Sequence, residues 1–182
     1  MECIACGAPI DEKVEKGGRE FYLCENGHEL PRARIEDEEI EKIEFRGDQI
    51  HVSVGVVVTS GEKVLLLERR KYPYQHTIPA GHLKRDEEPV DGAIRELREE
   101  TGIEIVDESL DRMEEAEGVL ADPCRRGEQY HRWFFFHKEL GREAEAEVND
   151  EASRALWVAK EELDDYDLTA PTLYLADHDY IP

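Results

Sequence analysis

One stretch constrains this chain more than any other: 81-GHLKRDEEPVDGAIRELREETGI-103. Pro89 near its start and Gly102 at its end predict a helix between them, because Pro suits a first turn and Gly the position past a last turn. On that helix Ala93, Ile94 and Leu97 share one face, and Glu96, Glu99 and Glu100 share another. Like charges at this spacing destabilise a helix by about 0.2–0.5 kcal/mol per pair. Arg95 and Arg98 offset part of that cost. The cluster is therefore tolerable as a solvated face, and it becomes purposeful only if a cation sits among the carboxylates.

The rest of the chain sharpens the choice. It has 182 residues, a net charge of −22 and 40% hydrophobic content, enough for one compact domain with a small appendage. The 45 acidic residues are spread along the chain rather than blocked at one end. Such a field opposes nonspecific binding to nucleic acid or anionic membranes, and it suits a protein kept hydrated in the salt-rich cytoplasm of a halophile. No apolar run approaches the ~20 residues of a membrane helix, and no secretory leader is evident. A soluble, cytoplasmic protein is expected.

Residues 1–30 stand apart. The segment 3-CIACG-7 offers two thiols on one turn, and 24-CENGH-28 adds Cys24 and His28. Cys3, Cys6, Cys24 and His28 make a set of three thiolates and one imidazole, which suits tetrahedral structural zinc with no position left for water. Gly17-Gly18 predicts a hairpin turn, and 20-EFYLC-24 a strand into the second ligand pair. So short a segment with few large apolar groups needs such a staple. This unit resembles a zinc ribbon, with the usual second Cys-x-x-Cys replaced by Cys-x-x-x-His. Cys124 lies far off and reads as a free thiol. Residues 31–45 read as a linker or short helix, with Ile35, Ile40 and Ile43 near helical spacing.

The main domain is expected over 46–182. The runs 50-IHVSVGVVVTS-60 and 63-KVLLLERR-70 flank a Ser60-Gly61-Glu62 turn, a hairpin signal. Strand or edge segments are expected at 103–110 and 112–121, an aromatic strand at 130-YHRWFFFHKEL-140, and a strand turning into a helix at 155-ALWVAKEEL-163. Strands on both sides of one helix, with another helix near the C-terminus, predict an α/β sandwich with a mixed sheet.

The order Gly81, five residues, Glu87, seven residues, Arg95-Glu96-Leu97-x-Glu99-Glu100-x-Gly102-Ile103 resembles the Nudix box at all nine of its specified positions. The resemblance implies a Nudix-type α/β/α sandwich and a phosphoanhydride hydrolase cleaving a nucleoside diphosphate linked to a further moiety by water attack on phosphorus. It implies Mg2+, or Mn2+, held by Glu96, Glu99 and Glu100 with the Ala80 carbonyl as a further ligand. It makes Glu87 and Arg95 a structural salt bridge. It also implies a general base: Glu99, or a later glutamate ahead of Trp157, for which Glu151 is preferred and Glu145 and Glu147 are rivals. The spacing has physical sense of its own, since a hard cation wants oxygen ligands and would offset a charge of −22 that otherwise repels a diphosphate. Many members of the family are dimers, so a homodimer is within expectation.

Candidate phosphate-binding residues are Arg69 and Arg70 in 69-RRK-71, Arg126 in 125-RR-126, and Arg132. Tyr72, Tyr74, His76, Tyr130 and Trp133 could stack a base. A ribbon before such a domain is similar to the NADH pyrophosphatases, but 118-GVLADPCRRGEQYHRW-133 lacks their Ser-Gln-Pro-Trp-Pro-Phe-Pro-x-Ser signature. ADP-ribose, another dinucleotide or a nucleoside triphosphate all stay open as substrates. Two other classes stand beside the hydrolase: a ligand sensor or regulator of the same fold, and an RNA-end processing enzyme that uses the ribbon for partner binding. The intact box disfavours the first and the acidic surface the second.

Overall fold

The computed structural model describes residues 1–105 and 109–181. The N-terminal region contains β1 (Glu2–Cys3), β2 (Ile10–Lys16), β3 (Arg19–Cys24), β4 (Glu29–Leu30) and β5 (Ala33–Arg34). The β2–β3 hairpin turns at Gly17 and Gly18, both at positive φ, a conformation glycine adopts without steric cost. β4 adds to β3, and β1 pairs with β5. A linker rather than a helix follows. Lys42–Phe45 forms β6 and pairs with the next strand, so the main sheet takes in residues that the sequence assigns to the linker. The three isoleucines at near-helical spacing do not outweigh that edge pairing.

The large sheet is built on β7 (Asp48–Ser60), whose residues 50–59 are all buried. It is a central strand, which is why its apolar run is nearly continuous. β8 (Lys63–Arg69) returns from the expected Gly61 turn. β9 (His76–Thr77) pairs with β8, and β10 (Ala80–His82) with β7. Beyond the helix come β11 (Asp111–Arg112), β12 (Gly118–Ala121), β13 (Tyr130–Glu139) and β14 (Ala152–Ala159). β13 runs parallel to β7 from His131↔His51 to Glu139↔Thr59, while β14 is antiparallel to β8, so the sheet is mixed.

Strand alternation divides the interior into two cores. Val52, Val54, Val56 and Val58 face α1 (Pro89–Thr101), whose Ala93 and Leu97 are fully buried against them. Truncating Leu97 to Ala would cost about 2–5 kcal/mol. Val57, Leu66, Trp133, Phe135 and Val158 face the other way, under Leu175 of α2 (Ala170–Asp177). The result is the α/β/α sandwich.

Several expectations shift. In the 103–110 segment, residues 103–105 are not in a strand and 106–108 lie outside the described residues. The 155–163 segment is a strand followed by a 3-10 turn at Lys160–Asp165, and the second helix is the separate α2. α2 has only eight residues and is apolar on most sides, so it offers no amphipathic stripe to read.

Candidate active site

The local chemistry of α1 fixes the site's scaffold. Pro89 opens the helix and Gly102, at φ 70°, closes it with its N–H donating to the Arg98 carbonyl. Arg95 then ties the helix to the incoming loop. Its Nε and one terminal nitrogen donate to both Glu87 oxygens at 2.8 Å, and it also donates to the His82 carbonyl at 3.1 Å and to Glu96 at 2.6 Å. Glu87 completes the brace by accepting from the Lys84 N–H at 2.9 Å.

Gly81 lies in β10 directly beneath Glu96. A Cβ there would collide with the Glu96 carboxylate, so glycine makes room for that side chain. The space rather than the turn is what the position demands, because Gly81 has an ordinary φ. Gly92 answers a similar need where α1 crosses Leu83 and Glu87.

Glu100 is buried, and its Oε2 accepts from the Ala80 N–H at 2.8 Å. Burial pushes its carboxyl up to about 8; the Arg69 charge and the Ala80 N–H oppose this, and Glu96 and Glu151 add to it. Glu96 is also raised, chiefly by burial. Glu99 is half exposed, 3.5 Å from Arg95. Glu151 comes from the chain before β14. Burial raises its carboxyl, but Lys71 (2.8 Å), Arg69 and Arg125 outweigh that and lower it. Glu96, Glu99, Glu100 and Glu151 all line one cavity of about 290 Å³, together with Ala80 and Gly81. Four carboxylates and a backbone carbonyl are hard oxygen donors, the set that suits Mg2+ or Mn2+. Glu100 is buried, and both its carboxyl and that of Glu96 are raised by burial, a cost that a bound cation would offset, so the donor set fits a cation.

A second pocket adjoins the first across Ala80, Gly81, His82, Arg126 and Glu151. Arg69, Lys71, Arg125 and Arg126 bring positive charge to it, beside Tyr72 and Trp133.

A family profile for the NUDIX domain matches residues 49–178. The chain belongs to the Nudix family. It is 33% identical over 96 residues to an m7GpppN-mRNA hydrolase of Danio rerio, covering 46% of this chain and 32% of that protein. It is 35% identical over 89 residues to a probable DHNTP pyrophosphohydrolase of Lactococcus lactis subsp. cremoris, covering 46% and 51%. This Nudix chain thus spans from a third to about half the length of those relatives. Among solved structures, it is similar to the Nudix hydrolase RenU of M. smegmatis at 16% identity and a TM-score of 0.55, covering 88% and 91% of the two chains. It is also similar to the NUDIX domain of Shewanella oneidensis NrtR, complexed with ADP ribose, at 17% identity and a TM-score of 0.57, covering 71% and 85%. These likenesses show a common fold.

Placement of the remaining expected residues is uneven. Arg69 and Arg126 line the second pocket, with Arg126 also paired to Asp37 at 2.7 Å. Arg70 is exposed and outside both pockets; its backbone N–H donates to the Glu151 carbonyl. Arg132 points to the opposite face of β13, stacked on Phe134 and paired with Glu117 at 3.0 Å. The alternation that sends His131 and Trp133 into the pocket sends Arg132 out of it. Glu145 and Glu147 are exposed and line neither pocket. Trp133, a candidate for stacking a base, is buried, stacks on Phe135 at 5.3 Å, and also lines the pocket.

Sequence reasoning missed Asp122, His82, His131 and Thr169 as pocket-lining residues. Asp122 is held up at about 6, chiefly by burial. No spacing pattern marks them, because four separate segments contribute them. Cys124, read as a lone thiol, lies close to three histidines. No helix among the described residues is long and apolar enough to cross a membrane.

At the other end of the chain, one donor atom each of Cys3, Cys6, Cys24 and His28 lie within 4.8 Å of one another. Cys3 Sγ and His28 Nδ1 are 3.9 Å apart, Cys6 and Cys24 Sγ 3.9 Å, and Cys24 Sγ and His28 Nδ1 3.6 Å. Zinc bonds of about 2.0–2.3 Å in tetrahedral array imply edges of roughly 3.4–3.8 Å. The set is therefore of a size to hold one such ion.

Proposed function

We propose that the protein is a divalent-cation-dependent pyrophosphohydrolase acting on a nucleoside diphosphate linked to a further group. The observation that carries this reading is the convergence of Glu96, Glu99, Glu100 and Glu151 on one cavity, under a glycine kept bare for Glu96, beside a pocket edged by Arg69, Lys71 and Arg126. When bound, Mg2+ or Mn2+ supplies the charge that neutralises a diphosphate and activates water toward phosphorus. Glu96, Glu99 and Glu100 would hold it, with the Ala80 carbonyl beside them. The Glu87–Arg95 pair keeps loop and helix in register and does no chemistry itself.

Glu151 is our choice for the base that accepts the proton of the attacking water, with Glu99 as its rival. Its depressed carboxyl is ionised at neutral pH, as a base must be, and Lys71 holds it at the junction of the two pockets. Arg69, Arg126 and Lys71 would position phosphate oxygens, and Tyr72 with Trp133 would bound the base or its appended group.

The N-terminal unit is proposed as a ribbon closed by structural zinc on Cys3, Cys6, Cys24 and His28. It docks on the main domain through Tyr22 and Glu20, which meet Arg125, and through Glu20, whose carbonyl accepts from Tyr74.

The test is release of phosphate or nucleoside monophosphate from a panel holding ADP-ribose, dinucleotides, nucleoside triphosphates and a capped RNA end, with Mg2+. Turnover of at least one diphosphate that collapses in Glu100→Gln supports the reading. Full turnover in that variant would remove Glu100 from the mechanism, and no turnover by the wild type would favour a ligand sensor.

A further inference from the structure

A second cluster of soft and borderline donors sits in the wall of the nucleotide pocket, and the hydrolytic chemistry makes no use of it. His51 on β7, His82 on β10, His131 on β13 and Cys124 in the loop before β13 each bring one ligand atom within 4.8 Å of all the others. His82 Nε2 and His131 Nε2 are 3.3 Å apart. Two nitrogens on a tetrahedral ion with bonds of about 2.0–2.1 Å sit roughly 3.3–3.4 Å apart. His51 and His131 are almost completely buried, and His51 Nδ1 has no hydrogen-bond partner. His131 Nδ1 likewise has no hydrogen-bond partner, and Asp122 Oδ2 lies 3.6 Å from it.

The turn that carries Cys124 is an independent observation. Cys124 N–H donates to the Glu128 carbonyl at 3.0 Å, and Gly127 N–H donates to the Cys124 carbonyl at 3.1 Å. Cys24, one of the four N-terminal ligands, has the same two bonds: its N–H to the His28 carbonyl at 3.0 Å, and Gly27 N–H to its own carbonyl at 2.8 Å. Gly27 and Gly127 both take positive φ. The chain thus presents Cys124 on the same kind of turn that presents Cys24.

We propose that His51, His82, His131 and Cys124 form a second site for a tetrahedral first-row d-block cation of the zinc(II) class. Three imidazoles and one thiolate close the coordination shell, so the ion is structural. It joins three strands of the sheet to the 122–128 loop. That loop carries the pocket residues Arg125 and Arg126, and His82 is the neighbour of Gly81, so the ion would fix the nucleotide pocket's wall against the carboxylate site. The N-terminal region grips the same loop from outside: Ala33 and Ile35 N–H donate to the Arg125 and Arg126 carbonyls, and the Arg32 side chain donates to those of Cys124 and Glu128.

The experiment is zinc stoichiometry on the full chain after passage over a chelating resin. Cys124→Ser and His82→Gln should each hold one equivalent less than the wild type. Cys6→Ser should lose a different equivalent, so that the Cys6→Ser, Cys124→Ser double variant holds none. This comparison separates the site from the ribbon, because the wild-type minus Cys124→Ser difference does not depend on what the ribbon holds. X-ray absorption on the wild type needs no variant: two filled sites average two sulfurs per zinc, whereas the N-terminal set alone shows three. Unchanged zinc in folded Cys124→Ser and His82→Gln, or three sulfurs per zinc in the wild type, would overturn the proposal.

Discussion

The N-terminal Cys/His set and the carboxylate helix solve opposite problems. At the first, three soft sulfurs and an imidazole converge from two short turns, in a unit whose Cys3, Tyr22 and Cys24 are among its few buried apolar side chains. At the second, hard oxygens project from a helix already anchored by Leu97 and Ala93 in a full core. If both sets bind the ions proposed for them, the comparison teaches that an ion can supply the fold in one place and only the chemistry in another. On the proposed reading, a ribbon without its zinc would have little else to stand on. Without a cation α1 would still be held by the sheet, and burial favours the protonated form of Glu100.

Four changes would break or sharpen that contrast, beginning with the largest. Glu100→Gln should lower kcat by about 10³-fold, or about 4 kcal/mol, with the thermal midpoint no lower than in the wild type. A variant that unfolds instead would erase the distinction between chemistry and fold. Cys6→Ser should do the reverse: limited proteolysis should cut within residues 1–30 while circular dichroism of the main sheet persists. Cleavage no faster than in the wild type would show that the N-terminal unit stands without its metal.

Gly81→Ala should cost at least about tenfold in kcat, because the new methyl displaces the Glu96 carboxylate. Gly118→Ala, which meets nothing within 4 Å, is the matched control and should be silent. Equal effects would refute the steric argument. The smallest effect belongs to Glu87→Gln. Arg95's hydrogen bonds, ahead of the opposing effect of burial, hold Glu87 below its ordinary 4.5. A depressed carboxylate contributes stability that is present above the unfolded value and lost as pH falls through the folded one. The variant should therefore be less stable by about 1–3 kcal/mol at neutral pH. Urea titrations should show wild type and variant converging under acid. A gap that stays constant with pH would remove the ion pair from the account.

Legibility followed sequence distance. The β7–β8 hairpin could be read because Gly61 interrupts two β-branched and leucine-rich runs, and α1 because its cap, its period and its stop agree. The box residues lie on one helix of about four turns and the loop before it, so their order in the chain nearly determines their order in space. Arg132 was misjudged as a pocket residue candidate because composition does not say which way a strand side chain points; pairing of β13 with β7 and β12 settles it. α2 escaped for want of an amphipathic stripe, and β6 because an edge strand of four residues, half of them charged, resembles a linker.

Residue order alone carried the donor types, their spacing on α1 and the N-terminal ligand pairs, since helix and turn geometry convert short intervals into fixed distances. Only the assembled sheet could bring His51, His82, His131 and Cys124 to one point. Their meeting depends on the parallel register of β13 on β7 and the antiparallel register of β10, and no local interval encodes a pairing between strands 80 residues apart.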